Sequence, residues 1–192
     1  MSHSPEFPTS EAGGAQLQAL HTLINCGWQY VTRSEADQWR DGRRSLPFLE
    51  TQLRSDLARI NRIYLGDRAY PFSEANVDAS VRRLIDRVRE GVVRANERMT
   101  DDLTLGIALP QTIGATSREW QFNFIDWKDW RANSFQVTTE YTVTEPGGTH
   151  IRVDLVLFVN GIPLGIVEVK SSRVSADHGV NKQIRNQKVG DG

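Results

Sequence analysis

The stretch that decides the fold runs from Arg152 to Lys170 and reads RVDLVLFVNGIPLGIVEVK. Two apolar runs, 151–159 and 162–169, flank the dipeptide Asn160-Gly161, which is typical of a tight turn between antiparallel strands. Their near-continuous hydrophobicity indicates strands that are buried on both faces of a sheet. The segment therefore predicts a central hairpin.

Three charged residues lie in this apolar hairpin. Asp154 falls inside the first strand, whereas Glu168 and Lys170 end the second. A charge removed from water is costly unless it has a partner or a metal ion. Because side chains alternate along a strand, Glu168 and Lys170 share one face. These three residues are therefore the candidates for chemistry.

The register of the hairpin decides whether Asp154 joins the other two. A two-residue turn at Asn160-Gly161 without a bulge would place Asp154 on the face opposite to Glu168. A three-residue loop over 159–161 with a bulge would instead pair Arg152 with Glu168 and set Asp154 diagonally beside it. We predict the three-residue loop, because it brings both carboxylates to one face.

Two carboxylates, together with the carbonyl oxygen of Val169, would form the oxygen-only site that Mg²⁺ prefers. Such an ion would activate a water molecule and neutralise charge on a phosphate, while Lys170 would orient the water or stabilise the transition state. The predicted reaction is phosphodiester hydrolysis. The alternative is that Glu168 and Lys170 form a pair at the end of a strand, exposed to solvent, with Asp154 paired to Arg152 or to a helix.

Upstream of the hairpin, the periodicity changes from helical to strand-like. Residues 1–14 are predicted to be a flexible tail, followed by a first helix that ends before Gly27. The expected remainder is one domain over 15–192, with a helical insertion over 35–100 and a sheet with a closing helix over 118–192. The predicted class is α/β, with a central mixed sheet flanked by helices.

Two apolar runs of helical spacing, 46–63 and 77–92, make up most of the predicted insertion. Arginines fall along one side of the second run and could rest on a phosphate backbone, although acidic residues are interleaved with them. The arginines are Arg83, Arg87, Arg94 and Arg98, and the acids are Asp86, Glu90 and Glu97. We interpret this side as an ordinary solvated helix face.

The composition excludes several classes of protein. With 39% hydrophobic residues the chain of 192 residues is globular, and its net charge of -1 gives no bulk attraction to nucleic acid. No apolar run is long enough to cross a bilayer. The polar start and the single cysteine, Cys26, favour a cytoplasmic location. The sequence contains none of the motifs for phosphate binding, dinucleotide binding or a serine esterase. We therefore exclude NTP hydrolysis, dinucleotide binding and serine-esterase chemistry.

The hairpin segment and the upstream Asn133-Ser134-Phe135 resemble the N-terminal nuclease domain of the restriction subunit (HsdR) of type I restriction-modification enzymes. This family is a branch of the PD-(D/E)xK nucleases. The resemblance covers roughly the last seventy residues and, more loosely, the first helix with Gly27-Trp28-Gln29-Tyr30. It implies a restriction-endonuclease-like core.

Asp154 and the Glu168-x-Lys170 element fall on the family's motif positions. The resemblance therefore implies that Asp154 and Glu168 bind Mg²⁺ and that Lys170 has a catalytic role. Some relatives also place an acid on the first helix, where Glu11 is the only nearby candidate.

The family's usual Gln-x-x-x-Tyr motif on the following helix, thought to hold DNA, is only half present. Gln183 supplies the glutamine, but Gln187 stands where the tyrosine is expected. The neighbouring Lys182 and Arg185 could contact phosphates. We assign these three residues, Gln183, Lys182 and Arg185, to DNA binding.

In the family, this domain precedes motor domains that pump DNA with ATP, and the subunit works with modification and specificity subunits. The resemblance therefore implies a fragment of a longer polypeptide, with ATP used only in motor domains that are absent here. The implied function is Mg²⁺-dependent cleavage of foreign double-stranded DNA, without a membrane partner. Two alternatives stay open: a non-catalytic module that guides DNA or docks a subunit, and a RecB-like exonuclease that acts on ends.

Overall fold

The computed structural model describes residues 11–89, 92–145 and 147–169. The first half contains α1 (Glu11–Asn25), β1 (Gln29–Tyr30), α2 (Arg33–Trp39), α3 (Glu50–Ile60), β2 (Arg62–Leu65), β3 (Arg68–Pro71) and α4 (Glu74–Arg89). The second half contains α5 (Val92–Leu105), β4 (Ile107–Ile113), β5 (Thr116–Phe122), a 3₁₀ turn (Trp130–Ala132), β6 (Phe135–Thr144), β7 (His150–Val159) and β8 (Ile162–Val167). None of the helices in these ranges is long and apolar enough to span a bilayer.

The central sheet has four strands in the order β1-β6-β7-β8. Strand β1 runs parallel to β6, whereas the β6–β7 and β7–β8 pairs are antiparallel, so the sheet is mixed. Helix α1 packs on one face, where Leu20 joins Val137 and Leu155 in a buried cluster. On the other face, Ala36 of α2 lies with Val156 and Phe158 in a second cluster. The predicted α/β class, with a mixed sheet between helices, is confirmed.

The first helix ends as its sequence predicts. Helix α1 stops at Asn25, and Gly27 follows with a φ of 96°, a conformation that glycine adopts without steric cost. The amide of Trp28 then bonds back to the carbonyl of Leu23 at 3.0 Å. This closure turns the chain directly into β1.

The largest apolar cluster lies beside the central sheet and fills the region between α3, α4 and two hairpins, β2–β3 and β4–β5. The sequence did not predict the β2–β3 hairpin, since Ile63 continues the helical spacing of the preceding apolar residues. In the structure Ile63 lies on β2 with 2% of its surface exposed, after Asn61 ends α3 with a side-chain bond to the Leu57 carbonyl. The insertion is therefore part helix and part sheet.

A two-residue turn joins β7 to β8, the edge strand of the described sheet, because Val159 pairs with Ile162 across Asn160-Gly161. Both turn residues have positive φ angles, 52° and 76°, as a type I′ turn requires. The predicted three-residue loop is therefore wrong. The two-residue turn is favoured because asparagine tolerates the left-handed conformation and because the buried Asn160 side chain finds three backbone or side-chain partners.

Gly161 sits directly against the start of α3. A Cβ atom at this position would lie 2.7 Å from the Leu49 carbonyl oxygen and 2.8 Å from the Leu53 amide nitrogen. The Gly161 carbonyl also accepts a bond from the Leu49 amide at 2.9 Å. The turn of the hairpin and the first turn of α3 therefore form one packed unit.

A buried arginine connects α2 to β6. Arg40 donates to Asp37, bonds to the Thr142 carbonyl at 2.7 Å and lies 4.3 Å from the centre of the Tyr141 ring. Burial raises the pKa of Tyr141 to about 12. Burial alone would also raise the pKa of Asp37, but hydrogen bonds and charges from Arg44 and Arg40 outweigh it and lower this pKa.

We predict that Gly161→Ala lowers the free energy of unfolding by about 3 kcal/mol or more, because a methyl group would strike backbone atoms of α3. The matched control is Gly114→Ala, since Gly114 has a φ of 58° but no atom within 4 Å of the place that the added methyl group would take. This control incurs only the left-handed penalty of about 1–2 kcal/mol. Urea unfolding measures both changes, and equal effects would contradict the close packing of the turn.

The Asp37–Arg40 pair predicts a loss of stability in acid. The pKa of folded Asp37 is lowered, so its contribution is complete above the unfolded pKa of about 3.9. It is lost as the pH falls through the lower pKa of the folded state. We expect Asp37→Asn to destabilise the protein by about 3 kcal/mol at pH 7, because Arg40 keeps its burial and loses its carboxylate. The difference between the variant and the wild type should shrink below about pH 4, and a constant difference would refute this assignment.

Candidate active site

A one-residue bulge on β8 determines which residues meet at the open end of the hairpin. Phe158 pairs with Pro163, but Leu157 pairs with Gly165, so Leu164 is an additional residue on β8. A bulge of one residue reverses which face each later side chain occupies. The two-residue turn and the bulge together therefore place the later side chains of β8 on the same faces of the sheet as a three-residue loop would have done.

The shifted register would bring the two predicted acids to one place. The ladder's last pair is Leu155 with Val167, and its continuation by one position would set Asp154 opposite Glu168. Residues directly opposite each other in an antiparallel pair lie on the same face. The predicted pairing of Arg152 with Glu168 is wrong, because the turn and the bulge shift the register by two positions. That both acids share a face stays a prediction.

Hydrogen bonds fix Asp154 on both sides. Its carboxylate oxygen Oδ2 accepts a bond from the amide of Val169 at 2.8 Å, which shows that the two chains stay adjacent beyond the last ladder pair. Its backbone carbonyl accepts a bond from Nε2 of Gln16 at 2.8 Å. Gln16 lies on α1 and is 6% exposed. The aspartate is therefore held by the helix from one direction and by the end of β8 from another.

Helix α1 contributes a polar contact that the sequence did not predict. Glu11 begins α1, and its side chain lies outside the described residues, whereas Gln16 of the same helix bonds to the Asp154 carbonyl. Nothing in the sequence distinguished Gln16 from other polar residues of an amphipathic helix. Its role depends on a contact between positions that are far apart in the chain.

A third carboxylate, Glu140, lies across from Asp154 on the neighbouring strand β6. It falls between the pairs Thr139–Leu155 and Tyr141–Val153, and its φ of 54° interrupts the ladder there. Arg152 bonds to Oε2 of Glu140 at 2.9 Å. The sequence did not single out Glu140, because a left-handed glutamate within a strand has no sequence signal. The alternative in which Arg152 pairs with Asp154 gives way to the ion pair between Arg152 and Glu140.

The remaining predicted site residues fall beyond the described ranges. These are Lys170 and the proposed DNA contacts Lys182, Gln183 and Arg185, with Gln187 in the position of the family's tyrosine. Their placement stays a prediction. The predicted site residues that the structure describes are therefore Asp154, Glu168 and Val169.

The described part of the site includes the two predicted carboxylate ligands. Asp154 is half-buried and Glu168 is exposed, so an ion held between them would be open to solvent on one side. Within the described ranges, no group of three or more acidic, histidine or cysteine side chains is arranged to hold a metal ion. Asp154, Glu168 and the Val169 carbonyl therefore stay predicted ligands of Mg²⁺, an ion that usually keeps several water ligands and takes only one or two carboxylates from the protein.

Comparison with known proteins identifies the family. The model of the family described as "Type I restriction enzyme R protein N terminus" matches residues 8–191. The type I restriction enzyme EcoprrI endonuclease subunit of Escherichia coli is 22% identical over 191 residues, covering 97% of this chain and 53% of the relative. The chain therefore spans about half the length of that relative. Because the family match extends over nearly the entire sequence, this chain belongs to the family of type I restriction enzyme R protein N termini.

Proposed function

We propose that this domain is a Mg²⁺-dependent DNA endonuclease with a PD-(D/E)xK core. The observation that carries the proposal is the register of β7 and β8, whose continuation beyond the Leu155–Val167 pair would set Asp154 opposite Glu168 at the open end of the hairpin. The family supports a nuclease role, and the name of the Escherichia coli relative includes an endonuclease subunit. Cleavage of double-stranded DNA is the reaction that these findings favour.

Asp154, Glu168 and the carbonyl of Val169 are the proposed ligands of Mg²⁺. The Val169 amide engages Oδ2 of Asp154, so Oδ1 is the oxygen that we assign to the ion. When bound, Mg²⁺ would supply Lewis acidity towards a phosphate and lower the pKa of a water molecule. The amide bond fixes the Asp154 carboxylate before an ion arrives, which reduces the cost of ordering the site.

Lys170 is the residue proposed to orient the attacking water or to stabilise charge. It follows Val169 by one residue, and strand alternation would place it on the same face as Glu168. Its ammonium group would hold the water in line or stabilise the negative charge that develops on the phosphate. Gln183, Lys182 and Arg185 are the proposed DNA contacts, as hydrogen-bond donors to phosphates.

The larger assembly is part of the same proposal. A nuclease without sequence-reading elements would depend on specificity and modification subunits for its target, and on motor domains of the same polypeptide for ATP-driven translocation. Such an enzyme would act on foreign DNA in the cytoplasm. The rival is a non-catalytic module that keeps the fold to guide DNA or to dock a subunit.

Loss of the carboxylates should abolish cleavage in the complete subunit complex. We expect Asp154→Asn, Glu168→Gln and Lys170→Ala each to slow linearisation of a closed circular plasmid by about 100-fold or more under Mg²⁺ and ATP. Glu119→Gln is the matched control, because Glu119 is an exposed acid on the separate hairpin β4–β5. Unchanged cleavage in Lys170→Ala would favour the non-catalytic module. An intact circle beside degraded linear DNA would favour the exonuclease.

A pair of substitutions at Asp154 should separate metal binding from folding. Asp154→Asn keeps an oxygen that accepts the Val169 amide, whereas Asp154→Ala removes it. We expect both variants to weaken Mn²⁺ binding by about tenfold or more in calorimetry. Hydrogen exchange at the Val169 amide should accelerate only in Asp154→Ala, because its bond at 2.8 Å disappears. Wild-type Mn²⁺ affinity in Asp154→Asn would show that the ligand assignment is wrong.

A further inference from the structure

An open pocket of about 480 Å³ lies between α4 and β4. No residue that lines it belongs to the central sheet. The lining residues are Ala79, Arg82, Arg83, Asp86, Arg87, Ile107, Ala108 and Leu109. The pocket is therefore separate from the proposed nuclease site, and its own function is independent of that proposal.

One wall of the pocket is cationic and the other is apolar. The contributing positions of α4 recur at intervals of three and four residues, so they form a single face of the helix. Three of them are arginines, against one carboxylate from Asp86. The β4 wall offers Ile107, Ala108 and Leu109. This local excess of positive charge contrasts with the chain's net charge of -1.

A buried carboxylate holds two of the arginines in place. Asp102 of α5, which is 4% exposed, accepts bonds from Nε and Nη2 of Arg83 at 2.9 and 2.8 Å and from Nε of Arg87 at 3.0 Å. Burial alone would raise the pKa of Asp102, but these hydrogen bonds and charges outweigh it and keep the pKa below its ordinary value. The carboxylate therefore stays ionised and fixes both guanidinium groups before any ligand binds.

These contacts revise the interpretation of this helix face as ordinary solvated surface. Arg83 and Arg87 both bond to Asp102, and the Arg83 guanidinium has five N–H donors, of which Asp102 engages two groups, Nε and Nη2. Within the described ranges, the guanidinium group of Arg82 has no ion pair or hydrogen bond, although Arg82 lines the same pocket. Guanidinium groups fixed by a carboxylate are a usual means of recognising an oxyanion such as phosphate.

The size and the second wall define the ligand further. A bare phosphate ion would fill only a small part of 480 Å³, a volume in the range of small-molecule sites. The apolar side chains of Ile107 and Leu109 would cover the sugar or base of a nucleotide while the arginines bind its phosphate. We propose that this pocket binds the phosphate group of a nucleotide, either free or as part of a DNA strand.

Equilibrium binding to the 192-residue chain tests the proposal, with AMP, inorganic phosphate and a short DNA duplex as probes. Arg82→Gln and Arg83→Gln should each weaken binding of AMP or of the duplex by about tenfold, since each removes a charge-assisted hydrogen bond. Arg68→Gln is the matched control, because Arg68 is an exposed arginine on β3 that does not line the pocket. Arg83→Gln also removes bonds to Asp102, whereas Arg82→Gln leaves those bonds in place. A loss of binding in Arg82→Gln therefore reports on the pocket alone.

The probes distinguish the source of the phosphate. Saturable binding of AMP, lost in the pocket variants and retained in Arg68→Gln, would identify free nucleotide. Binding of the duplex alone with the same pattern of variants would identify a DNA strand. The proposal is overturned if neither probe binds, if the pocket variants bind as tightly as Arg68→Gln, or if inorganic phosphate binds as tightly as AMP.

Discussion

The buried side chain of Asn160 is the contact on which the rest of the structure depends. Its amide nitrogen donates to the Phe124 carbonyl at 3.0 Å and to Oδ1 of Asn133 at 2.8 Å, while its oxygen accepts from the Ser134 amide at 2.9 Å. A polar group buried without partners costs free energy, so these bonds strongly favour one arrangement of three chain segments. They fix the point where β6 begins, where β7 ends and where β8 starts. Gly161, pressed against α3, completes the arrangement.

The turn at Asn160-Gly161 determines the geometry of the candidate active site. Strand positions are counted outward from Asn160-Gly161, and the bulge at Leu164 then changes the count by one. As a result, the ladder reaches Leu155 and Val167, and the Asp154 carboxylate bonds to the backbone amide of Val169, next to Glu168. A slip of one residue would turn Asp154 to the opposite face of the sheet. The chemistry proposed for the open end therefore depends on packing at the closed end.

The sequence predicted the parts of the fold that local patterns control. Continuous hydrophobicity identified β7 and β8 as strands, and helical spacing followed by Gly27 identified α1 and its end. The prediction that both strands are buried on both faces is wrong for β8, which lies at the edge of the described sheet with Leu164 46% and Ile166 60% exposed. The sequence could not predict the bulge at Leu164, because Leu164 is apolar and the continuous run of apolar residues is the same with or without a bulge. Nor could it predict that Gln16 would reach Asp154, since that contact joins positions 138 residues apart. The β2–β3 hairpin was missed for a related reason: a short apolar run fits a helix or a strand until tertiary packing decides between them.

The shared position of Ile162 has a consequence for engineering this domain. Ile162 opens β8 in the central sheet, yet it is buried in the apolar cluster of the insertion, together with Leu53 and Leu57 of α3. A miniaturised enzyme made by excising residues 46–124 would expose that isoleucine and remove the support under the hairpin. If the insertion were grafted onto another scaffold, its apolar cluster would lose Ile162 and would be exposed on that side. The two regions therefore pack as one unit and have to be transferred together.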